Sequence, residues 1–160
     1  MLGQWAGGVA ERIGPVLIAT GEESGDDVRV RLARTGSTSD RLYVSESSEW
    51  ADVAREAEQV GAVALVVDSL QTLAIDDLRP ASPSAIHAVS LALPAWGRRH
   101  DCAVWIVCQV RSDGDAAGGT RLPHAVDVVM ELQRGLLATS KNRHGPIGRV
   151  KLRMTARGLV

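Results

Sequence analysis

Residues 63–73 read VALVVDSLQTL, and the fold is decided by how this run begins and ends. A short, continuous apolar run predicts a strand buried on both faces, and so a sheet covered by helices on each side. The run stops at Asp68, with Ser69 and Gln71 close behind. A carboxylate at that point stands on the carboxyl edge of the sheet, where open α/β sheets bind ligands. Nucleoside triphosphatases place an aspartate there to hold the magnesium of a bound nucleotide. A strand-end aspartate that only caps the next turn fits the same residues.

The flanking segments repeat the pattern. Downstream, LRPASPS (78–84) is a turn-rich loop, and a helix follows from about Ser84 to Arg99. Ile86, Val89, Leu93 and Trp96 form its buried stripe, and Pro94 is expected to kink it. AVWIVC (103–108) is a second buried strand, ending at Gln109. Upstream, VLIAT (16–20) is a third; it stops at Gly21 and runs into Glu22 and Glu23. Ser24 is placed to cap the next helix, which runs through Val28, Leu32 and Ala33 to Gly36. RLYVSES (41–47) reads as a short strand. Trp50, Val53, Ala54, Ala57 and Val60 then give an amphipathic helix stopped by Gly61. The first segment, MLGQWAGGVAERIG, puts Leu2, Trp5, Ala6, Val9 and Ile13 on one helical face and ends at Gly14-Pro15. Gly3, Gly7 and Gly8 weaken that helix by about 1 kcal/mol each relative to alanine, unless close packing needs them.

Beyond Gln109 the chemistry changes. QVRSDGDAAGGTRLP (109–123) is too rich in glycine and aspartate to be core and reads as a loop. VDVVMELQ (126–133), LLATSKNR (136–143) and RVKLRMTA (149–156) read as three strands, with a tight HGPIG turn between the last two. Strand–helix units followed by hairpins predict one α/β domain over residues 1–160, its parallel sheet extended by antiparallel C-terminal strands.

Composition narrows the function classes. With 160 residues, 45% of them hydrophobic, the chain is long enough for a single real core. The net charge of −1 hides an asymmetry. No acidic residue follows Glu131; the last 29 residues carry +7, and the first 131 carry −8. A basic tail of this kind points to an anionic partner, nucleic acid or phosphate; a basic strand face balanced by acidic helices is the plainer account. Four Trp, one Tyr and no Phe argue against an aromatic stacking platform for single-stranded nucleic acid. Cys102 and Cys108 bracket one strand, roughly 20 Å apart and beyond disulfide reach within it. Lacking metal-site spacing, they read as small buried hydrophobes in a reducing compartment. No run approaches a membrane span, and a cytoplasmic location is expected.

Three strand ends therefore carry polar groups: Glu22 and Glu23, Asp68 and Ser69, and Gln109. Side by side on a parallel sheet they compose a hydrolytic constellation: a carboxylate to orient water, an aspartate for magnesium and an amide to sense a γ-phosphate. Together with KNRHG (141–145), these segments resemble the RadA/Sms group of bacterial DNA repair proteins, which are RecA-fold motor ATPases. ATGEES resembles that group's V-S-G-E-E-S, VVDSLQT its V-I-D-S-I-Q-T, and KNRHG its K-N-R-F-G. GDAAGGTRLPHAVDVVMEL resembles its A-G-P-x-x-L-E-H-x-V-D stretch, and RMTARGLV its M-x-x-x-G-L close. The resemblance spans essentially the whole chain. It implies a RecA-like P-loop NTPase core that uses ATP and Mg2+, binds single-stranded or branched DNA and assembles with copies of itself or with an intact relative in a ring.

The resemblance also implies roles residue by residue. Glu22 polarises the attacking water. Asp68 holds magnesium through a water, with Ser69 in support. Gln109, where the group usually has His, senses the γ-phosphate. Lys141 and Arg143 reach the nucleotide of a neighbouring subunit, or DNA. Arg111 and Arg121 flank a loop that faces DNA, where arginines grip phosphates. His144 replaces the group's Phe, and a harmless surface exchange is expected there.

No G-x-x-x-x-G-K-[ST] occurs in these 160 residues. In that group the phosphate loop immediately precedes the helix that MLGQWAGGVA resembles. The zinc module and the Lon-like domain are likewise absent from this sequence. The expectation is a motor core without its phosphate loop. Three or four missing charge-assisted hydrogen bonds remove roughly 5–10 kcal/mol, against about 8 kcal/mol for micromolar binding, so ATP binding by the chain alone is expected to be weak. The group's strand before that loop lies inside the sheet. AVWIVC and VDVVMELQ are therefore expected to lack a pairing partner, and either to close up or to leave the chain marginal and prone to association. The alternatives are a non-catalytic module that binds DNA or joins rings of an intact relative, and an inert remnant.

Overall fold

The computed structural model describes residues 2–109, 121–156 and 158–160, with Arg121 described by its backbone alone. Its first half is a four-stranded parallel sheet with strand order β2-β1-β3-β4. The strands are β1 (Val16–Thr20), β2 (Leu42–Ser45), β3 (Ala64–Asp68) and β4 (Ala103–Ile106). Four helices cover the sheet: α1 (Leu2–Arg12), α2 (Gly25–Arg34), α3 (Trp50–Gln59) and α4 (Pro83–Arg99). Strand alternation sorts the core into two layers. Val16, Ile18, Ala64 and Val66 pack against Ala6 and Ala10 of α1 and Val28 and Leu32 of α2. Leu17, Ala19, Leu65 and Val67 pack against Val53 and Ala57 of α3 and Val89 and Leu93 of α4. Every residue of β1 is buried, as the continuous apolar run requires.

Local chemistry explains the helix ends. Ser24 caps α2, its hydroxyl accepting from the Asp27 N–H at 3.2 Å. The Glu46 carboxylate, from the end of β2, accepts from the Gly25 N–H. Ser82 caps α4 ahead of Pro83, and that helix continues through Pro94 as one element. Two of the α1 glycines are packing residues: a Cβ at Gly7 would lie 2.6 Å from Ser37 Oγ, and one at Gly3 2.8 Å from Leu32. The predicted face of α1 errs at its end, since Ile13 is 69% exposed. It lies past the last helical residue, where the chain turns towards Gly14-Pro15.

The second half is antiparallel. α5 (Arg121–Ala125) leads into β5 (Val128–Gln133), β6 (Leu136–Asn142) and β7 (Arg149–Lys151), which form a meander. Arg134 and Gly135, at φ 47° and 77°, make the tight turn between β5 and β6. Among the described residues the hairpins form sheets of their own and do not extend the parallel sheet, contrary to expectation. Among the described residues β4 pairs only with β3 and β5 only with β6, so the two strands expected to lack a partner have not closed up on each other. RVKLRMTA is also not one strand. It breaks after Lys151, and β8 (Met154–Thr155) turns back to pair with β9 (Gly158–Leu159). This last hairpin is fastened to the start of the chain. The Gln4 side-chain amide donates to Leu159 O at 3.2 Å and accepts from Leu159 N at 2.9 Å, as a neighbouring strand would. The other difference is α5: RLPHA is helical, although its composition reads as loop.

Candidate active site

Parallel pairing places Thr20 directly beside Asp68, so the carboxyl ends of β1 and β3 are level, and β4 ends next to them. At this edge Glu22 is the meeting point. Ser69 Oγ donates to Glu22 Oε1 at 3.0 Å, and Gln109 Nε2 lies 3.4 Å from the same oxygen. Residues separated by 47 and 87 positions thus converge on one carboxylate, which is itself exposed. Ser69 is 2% exposed, and a buried hydroxyl of that kind fixes the carboxylate's orientation.

The chain around Glu22 is shaped to hold it. Thr20 Oγ1 donates to Glu23 O at 3.1 Å and accepts from Glu23 N at 3.2 Å, folding the turn back over the end of β1. Gly21 N donates to Asp68 O at 3.2 Å. A Cβ at Gly21 would collide with the Thr72 side chain, so the approach of the two strand ends requires glycine. Thr72 is set in turn by its hydroxyl, which donates to Ser69 O at 2.8 Å from the short 3₁₀ turn Leu70–Thr72. The Asp68–Ser69 peptide is cis.

Asp68 is half-buried between like charges. Burial pushes its carboxyl above the ordinary value of 3.8; Arg31 pulls it down, and Glu22 and Glu23 push it up again. Three acidic side chains near one strand end suit a hard cation. Among the described residues, no group of three His, Cys, Asp or Glu side chains is arranged to hold a metal by itself. Cys102 and Cys108 are free thiols, and burial with Asp101 nearby pushes Cys102 up to about 11, so it is no nucleophile.

The remaining predicted residues lie elsewhere. Lys141 points inward: its ammonium donates to the carbonyls of Pro123 at 2.6 Å, Val126 at 2.7 Å and His124 at 3.4 Å, around the end of α5. Arg143 pairs with Asp127 at 2.9 Å and donates to His124 O at 3.2 Å. Asn142 shapes the turn between them and β7, accepting from His144 N and donating to Pro146 O. The structure therefore gathers Glu22, Asp68, Ser69 and Gln109, and leaves Lys141 and Arg143 on the other sheet. Arg111 lies outside the described residues. Arg121 opens α5, and its side chain also lies outside them.

Two residues of the site escape a reading of the sequence. Arg31 pairs with Glu23 at 2.9 Å and is the cation that acts on Asp68. It is exposed and stands one helical turn after buried Val28, a relation open to a helical-wheel reading. Gln71 reaches Cys108 Sγ at 3.5 Å with its amide nitrogen, and its Oε1 is buried without a partner among the described residues. Nothing in its spacing signals that.

The model of the AAA domain family matches residues 2–115. The chain is similar to the DNA repair protein RadA of Helicobacter pylori strain J99, 29% identical across 97% of this chain and 37% of the relative. It is also similar to that of Streptococcus pneumoniae, 28% identical across 93% of this chain and 38% of the relative. It thus spans a little over a third of the length of the curated relatives it matches. Among solved structures, a DnaB-like replicative helicase studied with primase aligns with a TM-score of 0.74 at 14% identity, over 99% of this chain and 53% of that one. The KaiC-like protein PH0186 of Pyrococcus horikoshii gives 0.72 at 18% identity, over 95% and 77% of the two chains. These likenesses identify the RecA-like ATPase fold.

Proposed function

The chain belongs to the AAA domain family, and on that premise we propose that it is the motor core of a RadA-type DNA repair and recombination protein, coupling ATP hydrolysis to DNA binding and branch processing. The observation that carries the reading is the convergence of Ser69 and Gln109 on Glu22 beside Asp68. In this reading Glu22 orients the attacking water and draws its proton, which requires a fixed carboxylate within reach of bulk water. Ser69 holds that carboxylate from the buried side. Gln109, touching the same oxygen, links it to the end of β4 and to the γ-phosphate. Asp68 would hold the magnesium ion, because burial beside Glu22 and Glu23 leaves its charge in need of a cation. When bound, that ion neutralises charge on the transferred phosphoryl group.

Lys141 and Arg143 serve a neighbouring subunit's nucleotide in this reading only by releasing the carbonyls they now hold. That makes activity depend on assembly, as a homo-oligomer or in a ring with an intact relative. Arg111, Arg121 and Lys141 are the proposed DNA contacts. Affinity for ATP in the chain alone is weak, because no residues of the G-x-x-x-x-G-K-[ST] type stand among the 160.

Hydrolysis measured across a wide ATP range, with magnesium and single-stranded DNA, tests this. The expected result is no turnover by the chain alone at micromolar ATP and, where millimolar ATP or assembly with an intact relative restores it, turnover lowered about 100-fold or more by Glu22→Gln and lost in Asp68→Ala. Submicromolar ATP binding overturns the weak-binding reading, and turnover indifferent to both substitutions overturns the site. No turnover at any concentration, with faster hydrolysis by an intact RadA-type relative on adding the chain, favours the non-catalytic ring partner; Arg143→Ala then abolishes the stimulation.

A further inference from the structure

Six of the seven basic residues of the tail are described, Arg157 lying outside the described residues, and they divide into two sets once their partners are known. Lys141 and Arg143 are occupied by the α5 carbonyls and Asp127. Arg134, Arg149, Lys151 and Arg153 are all exposed and have no ion pair or side-chain hydrogen bond among the described residues. They are also neighbours. Arg149 and Lys151 stand opposite Ala138 and Leu136 across β6 and share one face of the sheet at alternate positions, about 7 Å apart. Arg134 occupies the adjoining β5–β6 turn, where Gly135 O accepts from Leu152 N at 2.6 Å, and Arg153 follows directly. The carboxylate sharing this face, Glu131, lies one strand further out opposite Ala138, and it accepts from Ser140 Oγ at 3.3 Å.

Four unpaired cations along the edge of a sheet repel one another and gain from a polyanion. We propose that Arg134, Arg149, Lys151 and Arg153 form a contact surface for the phosphodiester backbone of single-stranded nucleic acid, on the β6–β7 edge and apart from the Glu22 corner. Arg149 and Lys151 offer charge at strand spacing, Arg134 and Arg153 extend it at one end, and a phosphodiester backbone presents its charges in series in the same way. No aromatic residue lies on β5, β6 or β7. The surface therefore reads phosphate and not base, and sequence preference is absent. The proposal deepens the DNA-binding part of the proposed function, on which it rests, by naming further contacts; its test needs neither ATP nor magnesium, so it can fail while the hydrolysis reading stands.

The test is fluorescence anisotropy of labelled oligo-dT and oligo-dA with the whole chain, from 50 to 200 mM salt. The four contacts are expected to contribute about −2.8 to the log–log slope, so affinity falls at least roughly 50-fold across that range, alike for both oligomers. Arg134→Gln with Arg149→Gln and Lys151→Gln makes the slope shallower by about 2.1. Because all three side chains are exposed, thermal unfolding is expected to be unchanged, and the charge-keeping Lys151→Arg binds as the parent does. A slope and affinity unaltered by the triple substitution overturn the proposal. So does binding to anionic phospholipid vesicles without binding to either oligomer, or a strong preference for one base.

Discussion

The two sheets of this molecule are held together by different means. In the parallel sheet, β1 and β3 are buried on both faces, and Leu17, Leu65, Val66 and Val67 are at most 2% exposed. In the antiparallel sheet, Val128, Met130, Leu132 and Val150 are between 37% and 57% exposed, and burial of apolar area contributes little. That half is fastened by polar clamps instead: Lys141 and Arg143 on the α5 corner, and Gln4 on the last hairpin. The contrast teaches where rigidity and compliance lie. The edge that needs a fixed carboxylate rests on the dry sheet, while segments held by a few side-chain bonds open at lower cost.

Substitutions on matched leucines give the largest expected contrast. Leu65→Ala, at a fully buried site on β3 in the layer packed by α3 and α4, is expected to cost about 3–5 kcal/mol in urea unfolding. Leu132→Ala, 48% exposed on β5, is expected to cost about 0.5 kcal/mol. Equal costs would mean that the antiparallel sheet has a hidden core, and the comparison breaks. Lys141→Gln comes next. It strips an ammonium from three carbonyls and is expected to remove about 1.5–3 kcal/mol, and only locally. In hydrogen exchange, amides of 122–142 should exchange roughly 10-fold faster or more while those of 64–67 keep their protection. A uniform loss of protection in both sheets would show that the clamp belongs to the global fold.

The parallel half is legible in the sequence because its signal is redundant. VLIAT, VALVVD and AVWIVC are continuous apolar runs, and each ends in a polar residue that the sheet then places at one edge. Convergence of Glu22, Ser69 and Gln109 follows from strand order alone. The antiparallel half carries weaker signals. RVKLRMTA has strand composition throughout, but it breaks after Lys151 into a hairpin that Gln4 fastens, 155 positions from Leu159, through a contact no local pattern encodes. α5 is hidden because RLPHA has neither length nor apolar period, and it is held by Lys141 from β6. Gly21 looks like an ordinary turn glycine in sequence; only the approach of Thr72 gives it a packing reason.

The smallest expected effect bears on what the rigid edge costs. Burial and the neighbouring carboxylates raise the Asp68 carboxyl above 3.8, so the folded protein binds that proton more tightly than the unfolded chain does. Stability from this group is therefore greatest below 3.8 and declines as pH rises through the raised value, leaving a penalty in place at neutral pH. Asp68→Asn removes the titrating charge at nearly constant shape. It is expected to raise the melting temperature at pH 7, with the gain shrinking to nothing as the pH falls below 3.8. Melting curves of the two proteins across that range decide it. A variant less stable than its parent at pH 7 would mean that Arg31 outweighs burial and that Asp68 stabilises the edge. A stabilised variant would mark Asp68 as a residue kept against the interest of the fold, which is what a site poised for a cation requires.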